Sequence, residues 1–463
     1  MDALINSASQ GTLSLPQAAE FLLRKIDSLR EEPSPLFDSP QVFRIEVGVE
    51  FWNILRWLAA QESETRVFWA NREGGFQTAG VGIADRILLP HPAYDELFQY
   101  LRRRLSPRQK NVRYFGGIGF DPENTDCDWD DFGCCQFWLP RFELVHSGEK
   151  TLLACNLVFS KRNKDRVIAQ VRQELQALNG TISLNPPPAL SLKQRQDWPE
   201  VQAWVQGVQE AFSLFERGPL EKLVLARRSD LWVEPAISSL FFLSEIQKAA
   251  DNCFYFYFQP REGTGFLGAS PERLYCRRGR RLKTEAVAGT RARTKDPQEN
   301  ERLKRSLLES EKDLKEHRYV VEFLEKGLRK CCSTNRTAPL SVLELNEGMH
   351  LFTGLEGLLK EETSEADLLR TFHPTPAVAG FPLQEAQEAI LRLEPFRRGW
   401  YAGAVGWVGF DATEFAVAIR SALIRKDRIS LYAGAGIVQG SHPKAEWDEV
   451  ENKMNTFLKI LQG

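Results

Sequence analysis

The sequence lacks any long apolar run and carries almost no excess charge of either sign. No apolar stretch approaches the roughly 18 residues that a membrane-spanning helix needs. Met1 to Gly11 has no basic patch followed by an apolar segment, the pattern of a secretory signal. The 60 basic residues nearly balance the 62 acidic ones, leaving a net charge of −2. No overall field would draw the protein to nucleic acid or to a membrane surface, so neither is predicted as a partner.

Cysteine is sparse for a chain of 463 residues, and its spacing fits no zinc site. The eight cysteines are Cys127, Cys134, Cys135, Cys155, Cys253, Cys276, Cys331 and Cys332. The two adjacent pairs cannot readily form a disulfide within themselves. This usage predicts free thiols in a reducing compartment, and therefore a cytoplasmic protein.

Short strands separated by turns dominate the pattern, with only a few long helices. Residues 42–143 read as a series of strands, and strand-like stretches return over 223–288 and 403–433. Apolar residues at helical spacing predict one long helix over 298–328 and a closing helix over 443–461. Long runs of neighbouring strands with few helices predict an α+β fold with large antiparallel sheets.

A stiff break at Pro186–Pro188 is the predicted joint between two portions of the chain. The first portion, residues 1–190, is strand-rich, and we expect it to contribute to a shared fold rather than to form a separate functional module. The second portion, residues 191–463, carries every candidate functional residue described below.

Three glycines, Gly263, Gly265 and Gly268, match the dinucleotide-binding pattern G-x-G-x-x-G. That pattern binds a pyrophosphate only where a helix begins at the glycines. Here Ser270-Pro271 follows at once, and more strand-like sequence comes after it. We therefore expect a tight strand, not a nucleotide site.

Two predicted helices carry acidic residues that suggest a metal site. Glu316 lies one turn after Lys312, and Glu446, Glu449 and Lys453 share one helical face by three-and-four spacing. They could form a solvated surface with ordinary salt pairs. Alternatively, the three carboxylates meet: two such charges about 4 Å apart repel by about 4 kcal/mol at an effective dielectric of 20, which a cation relieves. Oxygen ligands with room for water favour Mg²⁺ over Zn²⁺.

Other residues are suited to binding an anion. Arg420 follows the apolar strand that begins at Phe415, and Gly434-Ala435-Gly436 follows another strand. Glycines there could expose backbone N–H groups to a carboxylate. Ala288-Gly289-Thr290 closes a further strand in the same way. Each could equally be an ordinary turn.

From Leu220 to Leu461 the sequence resembles the chorismate-utilising enzymes: the isochorismate, salicylate, anthranilate and aminodeoxychorismate synthases. The motifs that carry the resemblance are Glu221–Arg227, Phe266–Arg273, Ala288–Arg291, Ser310–His317, His373–Ala377, Ala418–Ala422, Gly434–Gly436 and Ala445–Lys453. They occur in the family's order over about half the chain. The N-terminal half is similar more loosely, through Phe115-Gly116-Gly117 and Phe120-Asp121-Pro122, to the isochorismate synthase branch. The resemblance implies two large antiparallel β-sheets packed together and flanked by helices.

The resemblance also implies roles for individual residues. Lys222 would be the general base that activates water, and Glu272 the general acid that protonates the departing hydroxyl. Mg²⁺ would be bound by Glu316 and Glu449, with Glu446 acting through water. The residues implied to bind chorismate are Gly289, Thr290, His350, Ala377, Tyr401, Arg420, Gly434 and Lys453.

Ala377 distinguishes the branches of the family. The isochorismate branch typically carries alanine in a His-Pro-Thr-Pro frame like that of residues 373–376, whereas anthranilate and salicylate synthases carry threonine after it. The resemblance therefore implies a Mg²⁺-dependent isomerase that converts chorismate to isochorismate, as a monomer or dimer without an amidotransferase subunit. It favours menaquinone or phylloquinone synthesis as the pathway, with siderophore or salicylate synthesis as alternatives. A salicylate or anthranilate synthase, and an inactive chorismate-binding protein, remain as alternatives.

Overall fold

A computed structural model describes residues 12–31, 37–50, 53–121, 127–184, 190–346 and 348–462. The predicted joint at Pro186–Pro188 lies outside these residues, as do Met1–Gly11 and Pro122. The boundary near residue 190 therefore stays a prediction.

The described residues form twenty strands, many of them in uninterrupted runs, and eleven α-helices. The strands are β1 (Gln41–Val49), β2 (Arg66–Ala70), β3 (Phe76–Leu89), β4 (Arg113–Ile118), β5 (Cys135–Ser147), β6 (Lys150–Phe159), β7 (Ser191–Trp198), β8 (Lys222–Glu234), β9 (Phe254–Arg261), β10 (Thr264–Ser270), β11 (Arg273–Arg278), β12 (Arg281–Ala292), β13 (Cys332–Thr337), β14 (Ser341–Glu344), β15 (Gly348–Leu359), β16 (Gly380–Phe381), β17 (Ala404–Gly409), β18 (Ala412–Val417), β19 (Ser421–Arg425) and β20 (Arg428–Val438). The helices are α1 (Leu15–Glu31), α2 (Ile54–Ala60), α3 (Tyr94–Arg104), α4 (Lys164–Gln176), α5 (Val201–Arg217), α6 (Ser239–Ala249), α7 (Pro297–Glu309), α8 (Glu311–Cys331), α9 (Glu365–Phe372), α10 (Leu383–Leu393) and α11 (Pro443–Gln462).

The strands form two antiparallel wings that are joined at β5. One wing, the β8 wing, runs β5-β3-β2-β9-β10-β19-β20-β8. The other, the β15 wing, runs β5-β4-β17-β18-β11-β12-β15. The α+β prediction with large antiparallel sheets is confirmed, and the hydrogen bonds show that the sheets are continuous through β5. Strands of the N-terminal portion belong to both wings.

The chain crosses from one wing to the other at two places that matter below. Pro271 and Glu272 lie between β10 of the β8 wing and β11 of the β15 wing. Residues 418–420 lie between β18 and β19 and cross in the opposite direction. One hydrophobic cluster includes buried side chains from both wings, among them Leu267 and Phe415. Burying that apolar surface holds the two crossings in place.

The predicted long helix over 298–328 is wrong in one respect, because it is two helices that meet at Ser310. Ser310 has an extended backbone (φ −74°, ψ 109°), and its side chain accepts a hydrogen bond from the backbone N–H of Asp313. A serine N-cap of this kind begins a new helix and lets the chain turn. Apolar spacing continues through the break, which is why the pattern did not show it.

The glycine-rich match at Gly263–Gly268 is not a nucleotide site, as expected. Residues from Thr264 onward form β10, paired with β9 and β19, and no helix begins at the glycines. All eight cysteines have free thiols, also as expected. No helix in the described part of the chain is long and apolar enough to cross a membrane.

Candidate active site

A cavity lies between the two wings, where both crossings meet helices α8 and α11. Nearly all the predicted site residues line it: Glu272, Gly289, Thr290, Glu316, His350, Ala377, Tyr401, Arg420, Gly434, Glu446, Glu449 and Lys453. Residues separated by up to about 180 positions are thus brought to one place, as expected for a ligand-binding cavity between packed layers.

Lys222, the predicted base, is fully buried directly behind this lining. It is the first residue of β8, where it lies opposite Val438 of β20 and Phe381 of β16. Its Nζ lies 3.0 Å from Oε1 of Glu316, which faces the cavity. The lysine is therefore held at the cavity wall by a carboxylate from α8.

Glu272, the predicted acid, is buried at the crossing between the wings. Its backbone N–H donates to Oγ of Ser270 over 3.2 Å, and its carbonyl accepts a hydrogen bond from the N–H of Val417 over 3.0 Å. Within the described residues, Oε1 of its side chain has no hydrogen-bond partner. Burial, opposed by the positive charge of Lys222, raises the pKa of Glu272 to about 8. In most molecules the Glu272 carboxyl group is therefore protonated at neutral pH.

The three carboxylates predicted to bind metal each contact a lysine. Glu316 contacts Lys222, and Oε1 of Glu446 lies 2.6 Å from Nζ of Lys312. Oε1 of Glu449 lies 2.8 Å from Nζ of Lys453. The residues that the structure describes include no ready-made cluster of three potential metal ligands.

Electrostatic interactions show that these carboxylates are neighbours. Burial works against the charge of Lys312, but Glu446, with Glu316 and Glu449 beyond it, raises the pKa of this lysine. Burial, reinforced by the charge of Glu449, raises the pKa of Glu446 in spite of Lys312. Mg²⁺ is usually held by one or two carboxylates together with water and substrate. An all-oxygen donor set on one wall of a cavity fits that ion.

His350 and Arg420 form a hydrogen-bonded pair in the wall of the same cavity. Nη2 of Arg420 lies 2.9 Å from Nε2 of His350. Because a guanidinium can only donate, Nε2 must accept, and the ring proton is on Nδ1. Nδ1 lies 3.0 Å from the carbonyl oxygen of Gly289, to which it donates. Burial, with Arg420 and Lys453 nearby, lowers the pKa of His350 to about 3, so the ring is neutral.

The remaining predicted substrate residues surround this pair. A Cβ on Gly434 would make tight contacts, at 3.1 Å from both the Tyr401 hydroxyl and the backbone oxygen of Leu225. The carbonyl of Gly434 accepts a hydrogen bond from Nζ of Lys453 over 2.8 Å. Oγ1 of Thr290 lies 3.2 Å from Nδ1 of His350. Ala377 contributes a small side chain to the wall.

Two features of the cavity were not among the predicted site residues. Gly436 lies against the Lys222–Glu316 pair, and a Cβ on it would come 2.4 Å from Oε1 of Glu316. Asp313 accepts a hydrogen bond from Arg291 over 2.7 Å and lies beside Gly289. The sequence showed Gly436 as part of a glycine-rich run, but not which side chain approaches it.

Comparison with known proteins identifies the family. The family model for chorismate binding enzymes matches residues 32–462. The isochorismate synthase MenF of Escherichia coli is 32% identical over 97% of this chain and 99% of its own length. Isochorismate synthase 2 of Arabidopsis thaliana, a chloroplastic protein, is 30% identical over 99% of this chain and 87% of its own length.

The solved structure of the menaquinone-specific isochorismate synthase MenF from Escherichia coli has the same fold. It superposes with a TM-score of 0.86 at 31% identity, covering 97% of this chain and all of that one. The resemblance inferred from the motifs is therefore confirmed over almost the whole length. The chain belongs to the family of chorismate-binding enzymes and, within it, to the menaquinone-type isochorismate synthases, which are isomerases.

Proposed function

We propose that this chain converts chorismate to isochorismate in the described cavity, with Lys222 as general base, Glu272 as general acid and Mg²⁺ as cofactor. The observation that carries the proposal is the state of Glu272. It is a buried carboxyl at the cavity wall, its pKa is raised to about 8, and one of its oxygens has no hydrogen-bond partner among the described residues. A carboxyl group in that state can donate a proton at neutral pH.

The reaction moves a hydroxyl group from one ring carbon to another. Lys222 in its neutral form takes a proton from water while the water oxygen bonds to the attacked ring carbon. Electron pairs shift through the double bonds of the ring, the bond to the 4-hydroxyl breaks, and Glu272 gives that group its proton, so that it leaves as water. By the end of the reaction, Glu272 has lost one proton and Lys222 has gained one. Proton exchange with solvent then restores both groups. Each positioned proton transfer contributes roughly 10²–10⁴-fold.

Mg²⁺ would be held by Glu316 and Glu449, with Glu446 acting through water. When bound, the ion supplies a positive charge that fixes and neutralises the ring carboxylate of the substrate. The lysines that contact these carboxylates orient them towards the cavity. At Glu449, Lys453 and Lys312 also outweigh burial and hold the pKa below the usual value.

The enolpyruvyl carboxylate would be bound at the part of the cavity where Arg420 and His350 lie. Arg420, Lys453 and Tyr401 supply donors there, and Gly434, Gly289 and Thr290 leave space for the ligand. His350 lines this part, and Ala377 keeps the wall beside the ring apolar. We propose further that the chain acts in the cytoplasm as a monomer or dimer, without an amidotransferase subunit.

Product analysis tests the reaction. Purified protein is incubated with chorismate and Mg²⁺, without ammonia, and the products are resolved by chromatography. We expect isochorismate in equilibrium with chorismate. Salicylate with pyruvate as the main products would contradict the proposal, and so would anthranilate formed only when ammonia is added.

Two variants test the assigned roles. Lys222→Met and Glu272→Gln keep most of the side-chain volume and remove the transferable proton, so each should lower turnover by about 10²–10⁴-fold. Lys444→Met is the control, since Lys444 is the second residue of α11, has an exposed side chain and forms an ion pair with the exposed Asp448. Chorismate binding measured by calorimetry should persist in all three. Full turnover in Lys222→Met or Glu272→Gln would remove that residue from its role.

A further inference from the structure

Arg72 is an N-terminal residue that reaches the segment carrying the predicted acid. It lies in the turn between β2 and β3, in the portion of the chain that supplies none of the predicted catalytic or metal residues. Its Nη1 donates to the carbonyl oxygen of Pro271 over 2.8 Å. Pro271 immediately precedes Glu272, so the contact is made one residue from the acid and spans 199 positions of sequence.

The same guanidinium also binds a buried carboxylate behind the acid. Nη1 and Nη2 of Arg72 donate to the two oxygens of Glu285 over 2.8 and 2.6 Å. Such a bidentate pair fixes both position and orientation. Glu285 also accepts from Nη1 of Arg273 over 2.6 Å. Both guanidinium groups lie beside the ring of Phe254, at 5.5 and 5.2 Å from its centre.

Within the described residues, the Pro271–Glu272 crossing is therefore hydrogen-bonded by three residues from different parts of the chain. Ser270 accepts a hydrogen bond from the backbone N–H of Glu272, and Val417 of β18 donates one to the carbonyl of Glu272. Arg72 donates to the carbonyl of Pro271. The first two bonds come from the catalytic portion of the chain. The third comes from the N-terminal portion and is the one made by a charged donor, which is the stronger kind.

The negative charge of Glu285 affects the pKa of Glu272. The groups that face Glu272 are Lys222 from β8, Glu285 from β12 and Lys453 from α11. Burial is the largest influence on its pKa, the two lysines lower that pKa, and Glu285 raises it. Arg72 and Arg273 together compensate the negative charge of Glu285. If one of these two cations were removed, the charge of Glu285 would be less compensated and would raise the pKa of Glu272 further.

We propose that Arg72 is a positioning residue for Glu272: it anchors the carbonyl of Pro271 and compensates the charge of Glu285, so that the N-terminal portion fixes the catalytic acid at the crossing. This inference rests on the proposed role of Glu272. Through this residue the portion of the chain before residue 190 would help to position a catalytic group of the second portion.

The test is the variant Arg72→Met, measured by kcat, KM and the pH profile of isochorismate formation. We expect kcat to fall about tenfold because the acid is less well placed, with KM for chorismate changed less than twofold. The alkaline limb of the profile, where the acid loses its proton, should move to higher pH. Arg72→Lys, which keeps the charge and one donor, should recover part of kcat and most of the limb position.

Two further variants separate positioning from general stability. The double variant Arg72→Met/Glu285→Gln also removes the negative charge of Glu285, so the alkaline limb of the pH profile should return towards its original position. Its kcat should stay low, because the Pro271 carbonyl still lacks its hydrogen-bond donor. Glu73→Gln is the comparison variant in the same turn: Glu73 is half-exposed, contacts Arg273 and lies 4.0 Å from Nη2 of Arg72, but within the described residues it makes no hydrogen bond to Pro271 or Glu285. It should leave kcat within about twofold of the parent enzyme.

Specific results would overturn the inference. An unchanged kcat and an unchanged limb in Arg72→Met would do so, as would a loss of kcat that only matches the fraction of unfolded protein measured by circular dichroism. The parallel Glu272→Gln variant identifies a failure of the underlying proposal instead. If that variant keeps its turnover and its alkaline limb, Glu272 is not the acid, whatever Arg72 does.

Discussion

Gly436 lies so close to Glu316 that a single added carbon would collide with the carboxylate, at 2.4 Å from its Oε1. The same carbon would lie 3.2 Å from Cε of Lys222. Strand β20 therefore leaves a space through which the carboxylate of α8 reaches the lysine of β8. The predicted base and one predicted metal ligand share that space.

This relationship predicts the effect of Gly436→Ala. The methyl group must displace Glu316 or Lys222, and displacement of about 1 Å in an active site costs on the order of 100-fold in rate. We expect kcat/KM for chorismate to fall by about that factor, with a higher Mg²⁺ requirement. Steady-state kinetics at several Mg²⁺ concentrations measures both.

Ala435→Gly is the control for that substitution. Ala435 is the neighbouring residue on β20, and successive residues of a strand point to opposite faces. This change should cost about 1 kcal/mol of stability and leave the kinetics nearly unchanged. Equal kinetic losses in the two variants would mean that β20 itself, and not the space at Gly436, is sensitive.

The pKa of Glu272 predicts how activity depends on pH. Because an acid must be protonated to act, and its pKa is raised to about 8, kcat/KM should fall as the pH rises above about 8. In Glu272→Gln the residual activity should have no such limb. A profile that declines already above about pH 5, as for an ordinary carboxyl with a pKa near 4.3, would contradict this assignment.

The same pKa predicts a change in stability that does not depend on activity. A carboxyl whose pKa is higher in the folded state than its ordinary 4.5 holds its proton more tightly when folded. Its stabilising contribution is complete below about pH 4.5 and is lost as the pH rises through about 8. The free energy of unfolding of Glu272→Gln relative to the parent should therefore increase between these pH values. Urea unfolding at pH 5, 7 and 9 measures it, and a constant difference would count against the raised pKa.

The sequence predicted more of the site than of the details of the fold. Motifs such as those around Glu272 and Arg420 identified residues that line one cavity, because each stands where a strand ends and the chain changes wing. The break at Ser310 was missed, since apolar spacing continues through it and only the cap distinguishes two helices from one. Arg72 could not be found from the sequence, because its partners lie about 200 residues away and depend on how β2 joins the sheet.

The pairing of His350 with Arg420 predicts a role for a neutral histidine. With a pKa lowered to about 3, His350 should not titrate between pH 5 and 9, and should keep its proton on Nδ1 throughout. Nitrogen-15 NMR of the ring measures both properties. A ring that gains a proton near pH 6.5, as an ordinary histidine does, would contradict the arrangement.

Substitution of His350 gives a kinetic test of the same pairing. His350→Phe keeps a ring but offers Arg420 no acceptor, so the guanidinium should bind the substrate carboxylate less well. We expect KM for chorismate to rise about tenfold, which corresponds to about 1.4 kcal/mol, with a smaller change in kcat. His350→Gln, whose amide oxygen can accept, should lie between that variant and the parent. A loss confined to kcat would point instead to contact with the reacting atoms.

Competition between Lys312 and a metal ion for Glu446 predicts the effect of removing the lysine. The ammonium group lies 2.6 Å from Oε1 of Glu446 and is near Glu316 and Glu449 as well. In Lys312→Met the carboxylates lose a compensating cation and repel one another, so they should bind Mg²⁺ more tightly, by about three- to tenfold at low ionic strength. Calorimetric titration with Mg²⁺ measures the affinity directly.

Lys315→Met is the matched control, because Lys315 is on the exposed side of the same helix, beside Tyr319, and its removal should leave the affinity unchanged. If neither variant alters Mg²⁺ binding, or if removal of the metal by chelation leaves turnover intact, these three glutamates are structural partners of lysines and not ligands of a catalytic ion.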